Sequence, residues 1–292
     1  MVQHSDTRPL THPSHDGGAS AGAIAFIGGG NMARGIVGGL VARGVAPSTI
    51  RVAEPVADVR EALAAEFGVQ VVADAASAAS GAATWVLAVK PQVLRGVCEA
   101  LAPAAAACAP LVVSIAAGIS SAQLSRWLGG GAPAIVRAMP NAPALLGAGV
   151  TGLYATDAVD ADARARAQAL LASAGATVWV DDEALIDAVT AVSGSGPAYV
   201  FLLAEAMQAA ARAEGLAPNA ADTLVAHTLL GAARMLIESG EDAATLRRRV
   251  TSPGGTTAAA IAVFEAGGLH KLVADAVHQA ALRGRALAAD ND

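Results

Sequence analysis

The chain has 292 residues, enough for two domains of ordinary size, and 54% of them are hydrophobic, ample for two buried cores. A formal net charge of −6 leaves no broad positive field for a phosphate backbone, and Arg247, Arg248 and Arg249 form the one dense basic run, so nucleic acid is not expected as a partner. Cys98 and Cys108 have neither metal-ligand spacing nor a disulfide pattern, which points to a reduced, cytoplasmic compartment and to no thiol nucleophile.

Residues 1–22 are rich in Ser, His, Gly, Pro and Asp, with no apolar run of the kind a signal peptide carries. A disordered tail is expected there, in which His4, His12 and His15 lack a scaffold for a metal. From 23 to 181 short β-branched runs alternate with helical stretches. Residues 23–27, 50–53, 69–72, 84–89 and 111–115 read as strands, and 31–43 and 59–67 as helices. That alternation predicts a Rossmann-like, doubly wound parallel α/β sheet.

Residues 100–125 carry no charged side chain and are long enough on paper to cross a bilayer, but Pro103, Pro110 and Gly118 interrupt them. The stretch fits better as a strand buried on both faces, preceded by an Ala-rich loop or helix end. No transmembrane segment is expected. Residues 150–154 and 176–180 flank an amphipathic stretch at 160–174 and are candidate edge strands of undetermined direction. From 182 to 292 only helical segments follow, at 183–192, 198–214, 220–238, 243–250, 257–266 and 271–289. Residues 198–211 are apolar nearly all the way round. A domain this small covers such a helix poorly, so a second subunit is expected to cover it and form an obligate homodimer.

The first strand runs into Gly28-Gly29-Gly30-Asn31-Met32-Ala33, a match to G-x-G-x-x-[G/A] at Gly28, Gly30 and Ala33. Gly28 permits the tight turn, Gly30 lets a pyrophosphate reach the backbone, and Ala33 lets the helix pack close to the strand. The strand before, the helix after and Glu54 at the end of the second strand supply the context the motif requires. A carboxylate at Glu54 accepts hydrogen bonds from ribose hydroxyls and repels a 2′-phosphate, which favours NADH over NADPH. The alternative is a Glu54 turned away by Pro55, with Arg51 or Arg60 left to meet a phosphate. Ala88, Val89, Lys90 and Pro91 lie at the end of the fourth strand, where such sheets bind ligand, and Pro91 restricts Lys90 to an extended backbone.

A second glycine loop, Ser252-Pro253-Gly254-Gly255-Thr256-Thr257, precedes the helix at 257–266. Free amides of Gly255, Thr256 and Thr257 with the hydroxyls of Ser252 and Thr257 suit a small carboxylate; a plain helix cap is the alternative. No metal site is expected. His227, His270, His278, Asp187 and Glu205 are read as structural.

Together with the stretches at 113–118, 137–141, 187–190 and 193–199, these motifs resemble those of the pyrroline-5-carboxylate reductases, over residues 23–287. The resemblance implies a dinucleotide-binding domain (23–181) and a helical dimerisation and substrate-binding domain (182–292). It further implies dimers grouped into decamers, each site completed across the dimer, and reduction of 1-pyrroline-5-carboxylate to L-proline by hydride from NADH or NADPH. Gly28, Gly30, Asn31, Met32, Ala33, Glu54, Ala88, Val89, Lys90, Pro91, Ala116 and Asn141 would then contact the cofactor. Glu183, Ser252, Gly255, Thr256 and Thr257 would surround the imino acid, with Thr257 bonded to the ring nitrogen. Two departures stand out: Glu54 replaces a small or hydroxylic residue common in NADPH-preferring relatives, and Arg249 stands where some have an asparagine. The rival readings are a 3-hydroxyacid or 6-phosphogluconate-type dehydrogenase, which needs a catalytic lysine where only Lys271 is available, and a sensor that binds NAD(H) without turnover.

Overall fold

The structure, a computed structural model, describes residues 22–290. All but the last residue of the tail expected at 1–22, with His4, His12 and His15, lies outside the described residues.

Strands β1 (Ile24–Ile27), β2 (Ile50–Ala53), β3 (Gln70–Val72), β4 (Thr84–Leu87), β5 (Leu111–Ser114), β6 (Ile135–Met139), β7 (Gly149–Ala155) and β8 (Gly175–Trp179) form one sheet. Its order is β3-β2-β1-β4-β5-β6-β7-β8. The first six run parallel; β7 is antiparallel to β6, and β8 parallel to β7. The direction left open by the sequence is thereby settled. Strand β6 is an addition: Arg137 interrupts its apolar run and hides the pattern.

Alternate side chains point to opposite faces. Phe26, Val52, Val86, Val113 and Val136 pack against helices α1 (Asn31–Ala42), α2 (Ala57–Phe67) and α6 (Ala161–Ala172). Ala25, Ile27, Trp85, Leu87, Val112 and Ile135 pack against α3 (Ala75–Ala79), α4 (Pro91–Cys108) and α5 (Ser121–Trp127). Each fully buried Phe or Leu in these layers contributes about 1.5–3 kcal/mol, and burial on both faces explains the continuous apolar runs of β4 and β5.

Two prolines belong to α4, and Pro91 holds Lys90 extended as expected. Pro91 opens α4 as its first residue, where a missing N–H breaks no intrahelical bond. Pro103 lies inside α4, within the stretch expected as a loop or helix end. The helix persists because Leu94, Cys98, Leu101 and Ala105 form one buried stripe against the sheet. That burial pushes the Cys98 thiol up to about 12, in keeping with an inert core cysteine.

The second half is all helical: α7 (Leu185–Val189), a π turn at Thr190–Gly194, α8 (Gly196–Ala213), α9 (Pro218–Glu238), α10 (Ala243–Arg249), α11 (Thr256–Ala266) and α12 (Leu269–Asp290). Neither α8 nor α11 has a buried residue. Phe201 is 67%, Ile237 82% and Val263 72% exposed, so within one chain this half has surfaces with nothing packed on them. By length and composition alone, Leu185–Ala213 and Pro218–Glu238 are apolar enough to cross a membrane. The same apolarity is what the sequence assigns to a subunit partner.

Candidate active site

Strands β1 and β4 are neighbours whose connections leave in opposite directions, the switch point at which open α/β sheets bind ligands. Gly28 follows β1 and donates its N–H to the Ala53 carbonyl at 2.9 Å. Its φ is +110°, and a Cβ there would stand 2.7 Å from the Ala88 carbonyl oxygen. Backbone conformation and close approach both demand glycine at that position. Gly30 differs. It is extended (φ −67°, ψ 177°) and exposed, and a Cβ on it would meet nothing within 4 Å. Protein packing gives no reason for a glycine here. What its small size leaves open is the approach to the α1 amino terminus, which has no side-chain cap. The cradle fits a pyrophosphate held by backbone amides. Asn31 and Met32 begin that helix, and buried Ala33 packs it against the sheet.

The Glu54 carboxylate is turned into this loop, accepting from the Gly29 N–H and the Val56 N–H, each at 3.1 Å. Pro55 does not turn it away. Arg51 donates to the carbonyls of Ala78 and Ser80, whereas Arg60 donates to those of Glu54 and Pro55 at 2.8 Å. At the end of β4, Ala88 and Val89 are half-buried, and Lys90 is exposed and extended ahead of Pro91. Ala116 is buried just beyond β5, its N–H donating to the Ser114 hydroxyl at 3.4 Å.

The second loop has one correction. Gly255 does not offer a free amide, because its N–H donates to the Ser252 carbonyl at 3.1 Å and closes the turn. The amides of Thr256, Thr257 and Ala258 form the first turn of α11 and have no intrahelical partner. No side chain caps this helix, so the plain-cap alternative fails. Ser252, Thr256 and Thr257 are exposed, and α11 packs in its own chain on α12.

The family description "Pyrroline-5-carboxylate reductase dimerisation" matches residues 183–287, and "NADP oxidoreductase coenzyme F420-dependent" matches residues 23–118. The pyrroline-5-carboxylate reductase of Pseudomonas aeruginosa is 51% identical, over 91% of this chain and 96% of its own. The chain belongs to the pyrroline-5-carboxylate reductase family. Among solved structures, a pyrroline-5-carboxylate reductase from Coxiella burnetii superposes with a TM-score of 0.89 at 43% identity, covering 91% of this chain and 98% of that one. The Plasmodium falciparum pyrroline carboxylate reductase, solved with NADP bound, gives 0.80 at 25% identity over the same 91% and 98%.

Within this reductase fold two of the sequence-chosen residues have other partners. The Glu183 carboxylate accepts from the Ser121 N–H at 2.6 Å, the Ser121 hydroxyl at 2.5 Å and the Arg137 guanidinium at 2.8 Å. Burial alone would raise this carboxyl; the bonds from Ser121 and Arg137 outweigh it and hold it below the ordinary carboxylate range. Asn141 donates to the Ser193 carbonyl at 3.1 Å and accepts from the Val150 N–H at 2.9 Å. Ser121 was not singled out from the sequence, and Arg137, which heads the stretch 137–141, was given no role there, although a lone arginine within the apolar run Ile135-Val136-Arg137-Ala138-Met139 was a visible signal. Lys271, which a hydroxyacid dehydrogenase would need as its catalytic lysine, is exposed and paired with Asp275 at 2.6 Å. His227, His270 and His278 are exposed on the helical half.

Proposed function

We propose that the chain reduces 1-pyrroline-5-carboxylate to L-proline with a reduced nicotinamide cofactor, the last step of proline biosynthesis. The observation that carries this is a pair of uncapped helix amino termini, each opened by glycine: one at Gly30 with room for a pyrophosphate, one at Gly255 with amides for a small carboxylate. When bound, the cofactor supplies hydride from its nicotinamide ring to the C=N carbon. Among the described residues, neither loop carries a carboxylate or histidine dyad. None is needed, because a protonated cyclic imine is already an electrophile that must only be positioned and kept from water.

In this reading residues 23–181 bind the cofactor and 182–292 bind substrate and the twin subunit. The Thr256 and Thr257 amides hold the substrate carboxylate, and the Thr257 hydroxyl accepts a hydrogen bond from the protonated ring nitrogen. The exposed faces of α8, α9 and α11 are covered by the twin, which brings each second loop to the other subunit's cofactor loop, with decamers as the larger form. The protein is then cytoplasmic rather than membrane-embedded. Thr257→Ala is expected to cost about 1–3 kcal/mol of transition-state stabilisation in kcat/KM; an unchanged kcat/KM removes Thr257 from the mechanism.

NADH is the preferred cofactor in this proposal, because Glu54 is turned toward the loop where the ribose hydroxyls would lie and a 2′-phosphate would face its charge. Following loss of reduced-nicotinamide absorbance with pyrroline-5-carboxylate and each cofactor in turn tests both statements. Decay with NADH exceeding that with NADPH is expected, and Glu54→Ser should move the ratio toward NADPH by about tenfold, roughly 1.4 kcal/mol. No decay with either cofactor sinks the reductase and leaves the sensor; decay with NADPH alone overturns the role given to Glu54.

A further inference from the structure

Helix α7 lies against the sheet face that also carries α5, and it is the link through which the helical half leaves the sheet. The fit there is close. A Cβ on Gly152 of β7 would stand 2.4 Å from Val189 Cγ1, and one on Gly194 would stand 2.8 Å from Met139 Cε. Polar fastenings flank this contact on both sides. Before α7, Glu183 takes three hydrogen bonds from Ser121 on α5 and Arg137 on β6, the Arg137 side chain being only 9% exposed. After it, Asn141 ties the Ser193 carbonyl to the β7 backbone at Val150.

Between the two fastenings runs α7, and the second of them falls within the π turn that follows it, a geometry that is rare and poorly bonded by itself. Here two of its carbonyls have side-chain partners, Asn141 on Ser193 and the Tyr199 hydroxyl on Ala191 at 3.1 Å, while Ser195 N–H bonds the Thr190 carbonyl at 2.9 Å. A wide turn pinned at Ala191 and Ser193, at the end of a helix pinned ahead of it at Glu183, fixes the direction of the helix that follows. That helix is α8, whose apolar face the twin subunit must meet.

We infer that Ser121, Glu183 and Arg137 on one side and Asn141 on the other form a two-point clamp that sets how α8 leaves the sheet. Glu183, Arg137 and Asn141 are then positioning residues for hydride transfer and touch neither substrate nor cofactor. The inference rests on the reductase reading, because a site assembled from the sheet edge and a helix of the other half loses on the order of 100-fold in rate for a misplacement of about 1 Å.

The test is Glu183→Gln, which keeps the shape and removes the charge. Expected are an unchanged dimer by sedimentation, an unchanged Kd for NADH by fluorescence titration, and a kcat lower by about 10–100-fold with KM for the imino acid within about twofold. The paired variant Arg137→Met with Glu183→Leu removes both charges for apolar groups and should restore kcat to within about threefold of the parent. Ser121→Ala, a milder change that keeps the ion pair, should lower kcat by about threefold and serves if the others fold poorly. A substrate KM that rises with kcat intact, or a paired variant as impaired as Glu183→Gln, would show a carboxylate in contact with substrate and overturn the clamp. Hydrogen exchange over residues 190–200 separates this from the reductase reading. It should quicken in Glu183→Gln and recover in the pair even if the parent turns over no pyrroline-5-carboxylate, and unchanged exchange overturns the clamp by itself.

Discussion

Gly30→Glu is expected to weaken NADH binding by at least about 100-fold, roughly 2.7 kcal/mol, while leaving thermal stability intact. The two halves of that expectation have separate causes. Stability is preserved because Gly30 is extended, so any residue adopts its backbone angles, and a Cβ there projects into open space. A carboxylate at a helix amino terminus is itself favourable. Binding is lost because that carboxylate occupies the amides a pyrophosphate needs and repels its charge. Gly28→Ala makes the contrast: at φ +110°, with a carbonyl 2.7 Å from the new Cβ, it should lose stability and binding together. Fluorescence titration beside a thermal melt reads both quantities. Normal NADH affinity in Gly30→Glu would remove this loop from the cofactor site.

Such a contrast between two glycines of one motif is not written in the sequence, although the motif is. The spacing predicts the turn and the helix. Only the structure separates Gly28, constrained by its own chain, from Gly30, left free for a ligand. The other differences have similar physical origins. Strand alternation is the same in either direction, so β7 and β8 could be foreseen as strands but not oriented. Arg137 concealed β6, because its charge is compensated by a residue 46 positions away, and one-dimensional pattern registers the cost of a buried charge but not its partner. Pro103 argued for a break that tertiary packing of α4 overrides. Asn141 was legible as a motif member and Glu183 only through the family resemblance, yet neither a motif nor a resemblance states whether a residue faces a ligand or a neighbouring element. The Gly255 amide fell to the same limit, its turn partner Ser252 being as near in sequence as the helix it was assigned to open.

Subunit mixing should give the largest effect and the clearest answer about how the two loops meet. Thr256→Glu places a carboxylate at the exposed first residue of α11, where it is compatible with the helix but repels a substrate carboxylate. It is expected to lower turnover by at least about 1,000-fold, some 4 kcal/mol. Gly30→Glu lowers it by at least about 100-fold through the cofactor when NADH is held well below saturation. Each variant alone forms a dimer with two damaged sites. If each site draws one loop from each subunit, a hybrid dimer collects both defects in one site and leaves the other intact. Random reassociation makes about half of the dimers hybrid, so the mixture should recover about a quarter of parental activity. If both loops of a site came from one chain, every site of the hybrid would carry a defect and the mixture would stay inactive. The exposure of Phe201, Ile237 and Val263 argues for the first outcome, because the helical half that carries the second loop presents apolar faces that need the twin subunit. An inactive mixture in which hybrid dimers are demonstrated by differently tagged subunits would refute the shared site and leave each chain to close its own.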